Sequence, residues 1–122
     1  MYKRQAVLGL TDLLQRSGRP AVVSSVLGLA LALVRDPGLA GRVRHLLSPT
    51  GLLVQRLTGV AATDSVNAAY SLLSDVTRRA WNTSAATALG LEPGWLPPQV
   101  APTTVVGGLT DDAARRLSLI HI

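Results

Sequence analysis

Apolar residues along this chain come in short runs, each bounded by Gly, Pro or a capping residue. The longest run, "AVVSSVLGLALALV" at residues 21–34, is shorter than the roughly 18–20 residues that span a bilayer, and Ser24, Ser25 and Gly28 interrupt it. It predicts a helix buried on most sides. A signal-peptide core is the alternative. Upstream, "LTDLLQRSGRP" predicts a short helix or turn, punctuated by Gly18 and Pro20. "RDPGLAGRV" restarts the chain. Asp36 is a ready cap, and Pro37 suits the first helical position, where its missing N–H would be unpaired anyway. "VRHLLS" is short and apolar, which predicts a strand.

"SPTGLLVQRLTG" carries the clearest helix signal. Ser48 is the N-cap, Pro49 sits in the first turn, and Gly59 stands where a left-handed C-cap belongs. Leu53, Val54 and Leu57 make its apolar face. "TDSVNAAYSLLSDV" reads as helix or irregular. Trp81 opens "WNTSAATALG", a helix with Asn82 as cap and Gly90 as stop. "LEPGWLPPQVAP" is a Pro-rich loop, unsuited to a central strand. "TTVVGGL" predicts a strand ending in a Gly-Gly turn. "TDDAARR" begins a last helix, with Asp111 and Asp112 at its positive end and Arg115 and Arg116 at its negative end. Helices alternating with short strands indicate an α/β protein.

Composition changes the picture at the two ends. The only isoleucines are Ile120 and Ile122, the only lysine is Lys3 and the only methionine is Met1. Between Ala6 and Arg116 every cation except His45 is Arg, as a GC-rich genome would produce. "LSLIHI" reads as the translation of CTG TCT CTT ATA CAC ATC, a transposase mosaic-end sequencing adapter. "MYKRQ" reads as the same adapter reversed. Residues 1–5 and 117–122 are therefore expected to be foreign, and residues 6–116 to be an internal piece of a larger protein. Without Lys3 and Arg4 the formal charge falls from +5 to +3, since ten Arg then face seven acids. The arginines are dispersed and few aromatics could stack on bases. A solvated surface is the better reading, with no nucleic-acid partner. The lack of cysteine excludes disulfides and Cys-ligated metal.

Candidate chemistry is sparse. His45 has no Cys or Ser–acid partner at recognisable spacing, so it reads as an ordinary structural or surface histidine. Gly107-Gly108 lacks the context of a phosphate-binding loop and reads as a turn. Asn82 opens an N-x-[ST] pattern, but helix capping accounts for it better. Asp64 and Asn67, three apart, share a helix face as a structural polar pair. No catalytic, cofactor-binding or metal-ligating residue is assigned.

The order of features over residues 43–116 is more specific. Pro49 leads a helix ending in Leu57-Thr58-Gly59. Thr63-Asp64, Asn67-Ala68, Leu72-Leu73-Ser74-Asp75 and Trp81 follow, then Leu89-Gly90, Leu96-Pro97, Val106-Gly107 and Leu109-Thr110. This order resembles the FGGY carbohydrate kinases, in particular xylulokinase-like members. Residues 20–42 resemble the preceding helix more weakly. The family usually has Asp and an aromatic at Gly51-Leu52, Ser at Ala69 and an acid at Asn82. The resemblance implies a fragment of an actin-like, ribonuclease H-like kinase domain, helix-rich and with an incomplete sheet. In such kinases the first domain binds sugar and the second binds ATP. An Asp of the first domain takes the hydroxyl proton while Mg²⁺ and backbone amides hold the phosphates. That Asp lies on a strand following the "LTDDAARR" helix, so none of the acids here takes its role. The implied parent is a cytoplasmic ATP- and Mg²⁺-dependent kinase acting on a small sugar, xylulose or a related pentulose. The family's pentulose kinases usually carry an LT-led, Ala-rich helix after the V-x-G turn, which glycerol kinases tend to lack. The fragment itself is expected to bind neither ATP nor Mg²⁺. Two alternatives are a glycerol kinase and a catalytically dead paralogue with a binding role. A third is a stand-alone basic helical protein that binds nucleic acid or membrane.

Overall fold

The computed structural model describes residues 15–16 and 25–119. Apart from Gln15 and Arg16, the helix or turn expected over residues 10–20 lies outside the described residues, as do residues 1–5, 21–24 and 120–122.

Helix α1 spans Ser25–Val34. Leu27, Ala30 and Leu33 are buried, and their spacing of three places them on one face. Leu29, on another face, is exposed. Val26, Gly28, Leu31 and Val34 are partly buried and Ala32 is exposed with Leu29, so among the described residues the helix is covered over most of its surface, as expected. Helix α2, Pro37–Ala40, forms as its capping signal implies: Asp36 Oδ1 accepts the Leu39 N–H at 3.1 Å, and Pro37 sits in the first turn. Residues 43–48 form no strand. Leu46 is buried, and its N–H donates to the Trp95 carbonyl at 2.7 Å. The apolar run there reflects burial, not sheet pairing.

Helix α3, Pro49–Thr58, carries both expected caps. Ser48 Oγ accepts the Gly51 N–H at 3.1 Å. Gly59 adopts φ +76° and donates its N–H to the Gln55 carbonyl at 2.8 Å. Its apolar face is another matter. Only Gly51 of this helix is buried, and Leu53 is 59% exposed beside an exposed Leu52. Val54 and Leu57 of the expected face are half-buried, and the Leu57 carbonyl accepts the Thr110 N–H at 2.9 Å.

Strand β1, Thr63–Asp64, leads directly into helix α4, Ser65–Tyr70. Strands β2, Ser74–Asp75, and β3, Ala80–Trp81, form an antiparallel hairpin with Ser74 opposite Trp81. Helix α5 spans Thr83–Ala88, and a 3₁₀ turn spans Pro93–Trp95. Strand β4, Gln99–Val100, pairs parallel with β1, Thr63 opposite Gln99. It lies within the stretch read as a Pro-rich loop. The pair is only two strands wide, so each strand is an edge, where flanking prolines are tolerated. Helix α6, Asp111–Arg116, closes the described chain. The strand expected over residues 103–109 does not form, and Val105 is 88% exposed. β-Branched residues favour strands through packing against a paired neighbour, and among the described residues no strand pairs with this segment.

The core joins α1, Leu46, Leu72, Leu73, α5, Leu91 and Trp95. Ala85 and Ala86 keep the buried face of α5 small, so other segments approach closely. Gly90 ends α5 at φ +84° in a Schellman motif: its N–H reaches the Thr87 carbonyl at 3.0 Å and that of Leu91 reaches Ala86 at 2.9 Å. A Cβ on Gly90 would lie 3.2 Å from Val34 Cγ1, so the turn also needs the space.

Candidate functional site

Three local structures meet at one cleft of about 610 Å³. Its first wall is a face of α4, on which Ser65, Val66, Ala69 and Tyr70 line up. Asp64 fixes the start of that helix. Its Oδ1 accepts the N–H groups of Val66 and Asn67, each at 2.9 Å, and its Oδ2 accepts from Asn67 Nδ2 at 2.6 Å. Burial pushes the Asp64 carboxyl up, but the hydrogen bonds from Asn67 and Val66 outweigh it and hold the pKa below the ordinary aspartate value. The polar pair read from the sequence is a structural one.

The second wall is the β2–β3 hairpin. Asp75 Oδ1 accepts the N–H groups of Thr77 and Arg78, both at 3.0 Å, which turns the chain back. Asp75 Oδ2 lies 3.5 Å from Arg16 Nη1. Arg79 then adopts φ +51°, a left-handed conformation uncommon outside glycine, and feeds β3. The third side is β4 and the turn after it, through Pro102. Gln99 Nε2 donates to Ser74 Oγ at 3.1 Å and ties β4 to the hairpin across the cleft floor. Among the described residues Arg79 lines this cleft and no carboxylate does. Tyr70, 55% exposed, presents an aromatic ring.

The other residues singled out from the sequence fall elsewhere. His45 is exposed between α2 and α3. Asn82 is buried as the N-cap of α5, its Oδ1 accepting the Ala85 N–H at 3.1 Å and the Ser84 hydroxyl at 3.0 Å. Asp111 and Asp112 occupy the first turn of α6 behind Thr110, whose Oγ1 accepts the Ala113 N–H at 3.2 Å. Asp112 pairs with Arg116 at 2.8 Å in solvent. Gly107 lies against the end of α3, where a Cβ would come 3.3 Å from Val60 Cγ2. Among the described residues no three His, Asp or Glu side chains converge on a point. The cleft itself was missed in the sequence. Its one legible trace was the spacing of Ser65, Val66, Ala69 and Tyr70, since β4 and the turn at Arg79 leave no pattern.

The sequence model for the N-terminal domain of the FGGY family of carbohydrate kinases matches residues 21–121. The chain belongs to this family. No curated protein matches it. Among solved structures, gluconate kinase from Lactobacillus acidophilus superposes with a TM-score of 0.79 at 18% identity, over 90% of this chain and 23% of that one. A xyloylose kinase from Brucella ovis gives 0.77 at 23% identity, over 97% of this chain and 25% of that one. The ligand-bound xylulose kinase from Lactobacillus acidophilus gives 0.77 at 17% identity, over 90% and 23%. This FGGY chain therefore shares their actin-like, ribonuclease H-like kinase fold and spans about a quarter of their length.

Two departures from the usual FGGY pattern acquire physical meaning. Asn82 caps α5 as an acid would, since Asn and Asp serve equally at an N-cap. Gly51 is buried, and a Cβ there would meet the Ala62 carbonyl oxygen at 3.2 Å. A larger residue at Gly51 requires β1 to sit slightly farther from α3.

Proposed function

We propose that this chain is the middle of the sugar-binding domain of an ATP-dependent sugar kinase, whose acceptor is xylulose or a related pentulose. The observation that carries this reading is the FGGY match over residues 21–121, joined to likeness with xylulose kinases over a quarter of their length. The capped, Ala-rich α6 supports a pentulose kinase over a glycerol kinase. Under this reading residues 6–116 belong to the sugar domain, and residues 1–5 and 117–122 come from outside the source gene. The full protein acts in the cytoplasm on a small sugar and uses ATP with Mg²⁺, which its other parts hold. Among the described residues no helix is long and apolar enough to cross a membrane. Under this reading none of the chain's acids is the family's proton acceptor, and the 122-residue chain binds no ATP and transfers no phosphate.

Recovery of the genomic copy followed by assay of its product with ATP against D-xylulose, D-gluconate, other ketoses and glycerol tests the reading. The expected result is highest kcat/KM on a pentulose. Preference for glycerol overturns the substrate assignment. Inactivity on every sugar and polyol overturns the kinase assignment in favour of a binding paralogue. A genomic copy continuing through "MYKRQ" or "LSLIHI" overturns the assignment of the ends.

A further inference from the structure

Residues 103–109 run past the end of α3 and are held at both ends. The Thr104 N–H donates to the Ala101 carbonyl at 2.9 Å, and the Thr110 N–H donates to the Leu57 carbonyl at 2.9 Å. Between them Gly107 comes so close that a Cβ there would lie 3.5 Å from Thr58 Cβ. The backbone of the stretch is otherwise open: among the described residues, no N–H from Val105 to Leu109 finds a backbone acceptor. The side chains have the character of a strand. Thr103, Thr104, Val105 and Val106 are all β-branched, the class that strands favour. Val106 is half-buried while Val105 beside it is 88% exposed, as on the two faces of one strand. Exposed Val60 and Leu109 extend the apolar surface. Residues 103–109 carry no charge, and charge is what commonly blunts an edge that stays free.

We propose that residues 103–106 are a docking edge for a β-strand from the part of the parent protein outside these 122 residues, with an apolar side chain from that part covering Val105. This rests on the reading of the chain as a piece of a longer kinase. The chain covers 23–25% of each solved relative, so roughly three quarters of such a fold lies outside it. A strand on the same polypeptide meets this edge at a far higher effective concentration than a second molecule does, which favours the parent's own chain over a second copy or a separate protein. Main-chain pairing supplies the affinity of such an addition, and the side chains opposite supply its selectivity. A charged side chain against Val105 would lose water and find no partner, so the strand that fits is apolar at that position.

Amide exchange of the full-length protein, together with a photo-crosslinking amino acid at position 105, tests this. The amides of residues 103–107 should exchange about a hundredfold or more slowly than those of an unstructured peptide. Illumination should join position 105, within one polypeptide, to a peptide outside these 122 residues. Val105→Asp should speed exchange in the segment about tenfold or more, whereas Val105→Thr, equally β-branched, should change it less than about threefold. The proposal is overturned by fast exchange throughout residues 103–107, by a crosslink only to residues 1–122 or between two molecules, or by exchange that Val105→Asp leaves unchanged. Neither readout requires catalysis. Protection and the crosslink in a protein that phosphorylates no sugar support the docking edge while the kinase reading fails. Fast exchange in an active sugar kinase overturns the docking edge alone.

Discussion

Three described non-glycine residues, Leu72, Arg79 and Ser118, have a left-handed backbone, and the first two differ in everything else. Leu72 has φ +65° and is buried, whereas Arg79 has φ +51° and is exposed. Left-handed geometry costs an L-residue roughly 1–2 kcal/mol, and glycine avoids this while losing about 0.5–1 kcal/mol in chain entropy. At Arg79 the strain relieved exceeds the entropy lost, so Arg79→Gly should stabilise the full-length protein by up to about 1 kcal/mol. At Leu72 the same change also empties a core position, a loss of about 2–5 kcal/mol for Leu→Ala cavities. Leu72→Gly should therefore destabilise by about 2 kcal/mol or more. Urea midpoints of the two variants check the contrast, and equal shifts would show that burial does not set the difference. Asp64 gives a pH-dependent case. Its folded pKa is depressed, so its contribution is complete above the unfolded aspartate value of about 3.9 and is lost as pH falls through the lower folded value. Asp64→Ala should cost about 1–2 kcal/mol at pH 7 through the lost cap. The gap to wild type should close in the acid range, and a gap that widens there would contradict the assignment.

At the scale of elements, most of the short helices are defined by their ends. Asp36, Ser48, Asp64, Asn82 and Thr110 each accept a backbone N–H at a helix start. Helices of four to ten residues are too short to persist on propensity alone, so caps and tertiary contacts carry them. The two glycine stops separate conformation from space. A Cβ on Gly59 would meet nothing nearer than Thr110 Cγ2 at 3.9 Å, while one on Gly90 would meet Val34 Cγ1 at 3.2 Å. Gly59→Ala should cost about 1 kcal/mol in the full-length protein, from backbone strain alone. Gly90→Ala should cost clearly more, because α1 must also shift. Denaturant midpoints at constant slope measure both. Equal costs would mean that the end of α1 yields freely.

The molecule as a whole leaves too much apolar surface in water. Leu29, Leu52, Leu53 and Val105 are exposed, and both small sheets have two open edges. The chain is long enough for a domain, but among the described residues the largest fully buried side chains are only Leu73 and Pro97. The isolated 122-residue chain should therefore melt broadly and bind a hydrophobic dye. A sharp two-state transition of a soluble monomer would show that the described contacts suffice. Calorimetry with ATP and Mg²⁺ should give no saturable heat, and micromolar binding would overturn the placement of this segment in the sugar domain.

What the sequence determined by itself was local. A cap is a bond between residues two or three apart, so Ser48, Asn82 and Thr110 announced their helices, and Gly59 and Gly90 announced two ends. The order of those punctuated elements was enough to reveal the family. Pairing and covering were decided only in three dimensions. Residues 43–48 and 103–109 look like strands but join no sheet among the described residues, while Gln99 and Val100, hemmed by prolines, pair with Thr63 and Asp64. Of the apolar face of α3, equally visible in the sequence, Leu53 stays exposed while Val54 and Leu57 are half-buried. The cleft joins residues from 65 to 102, and its floor is a bond from Ser74 to Gln99, 25 positions apart. Capping is a property of the chain's own neighbourhood. A sheet edge, a covered face and a cleft depend on which distant segment arrives, and no local pattern records that.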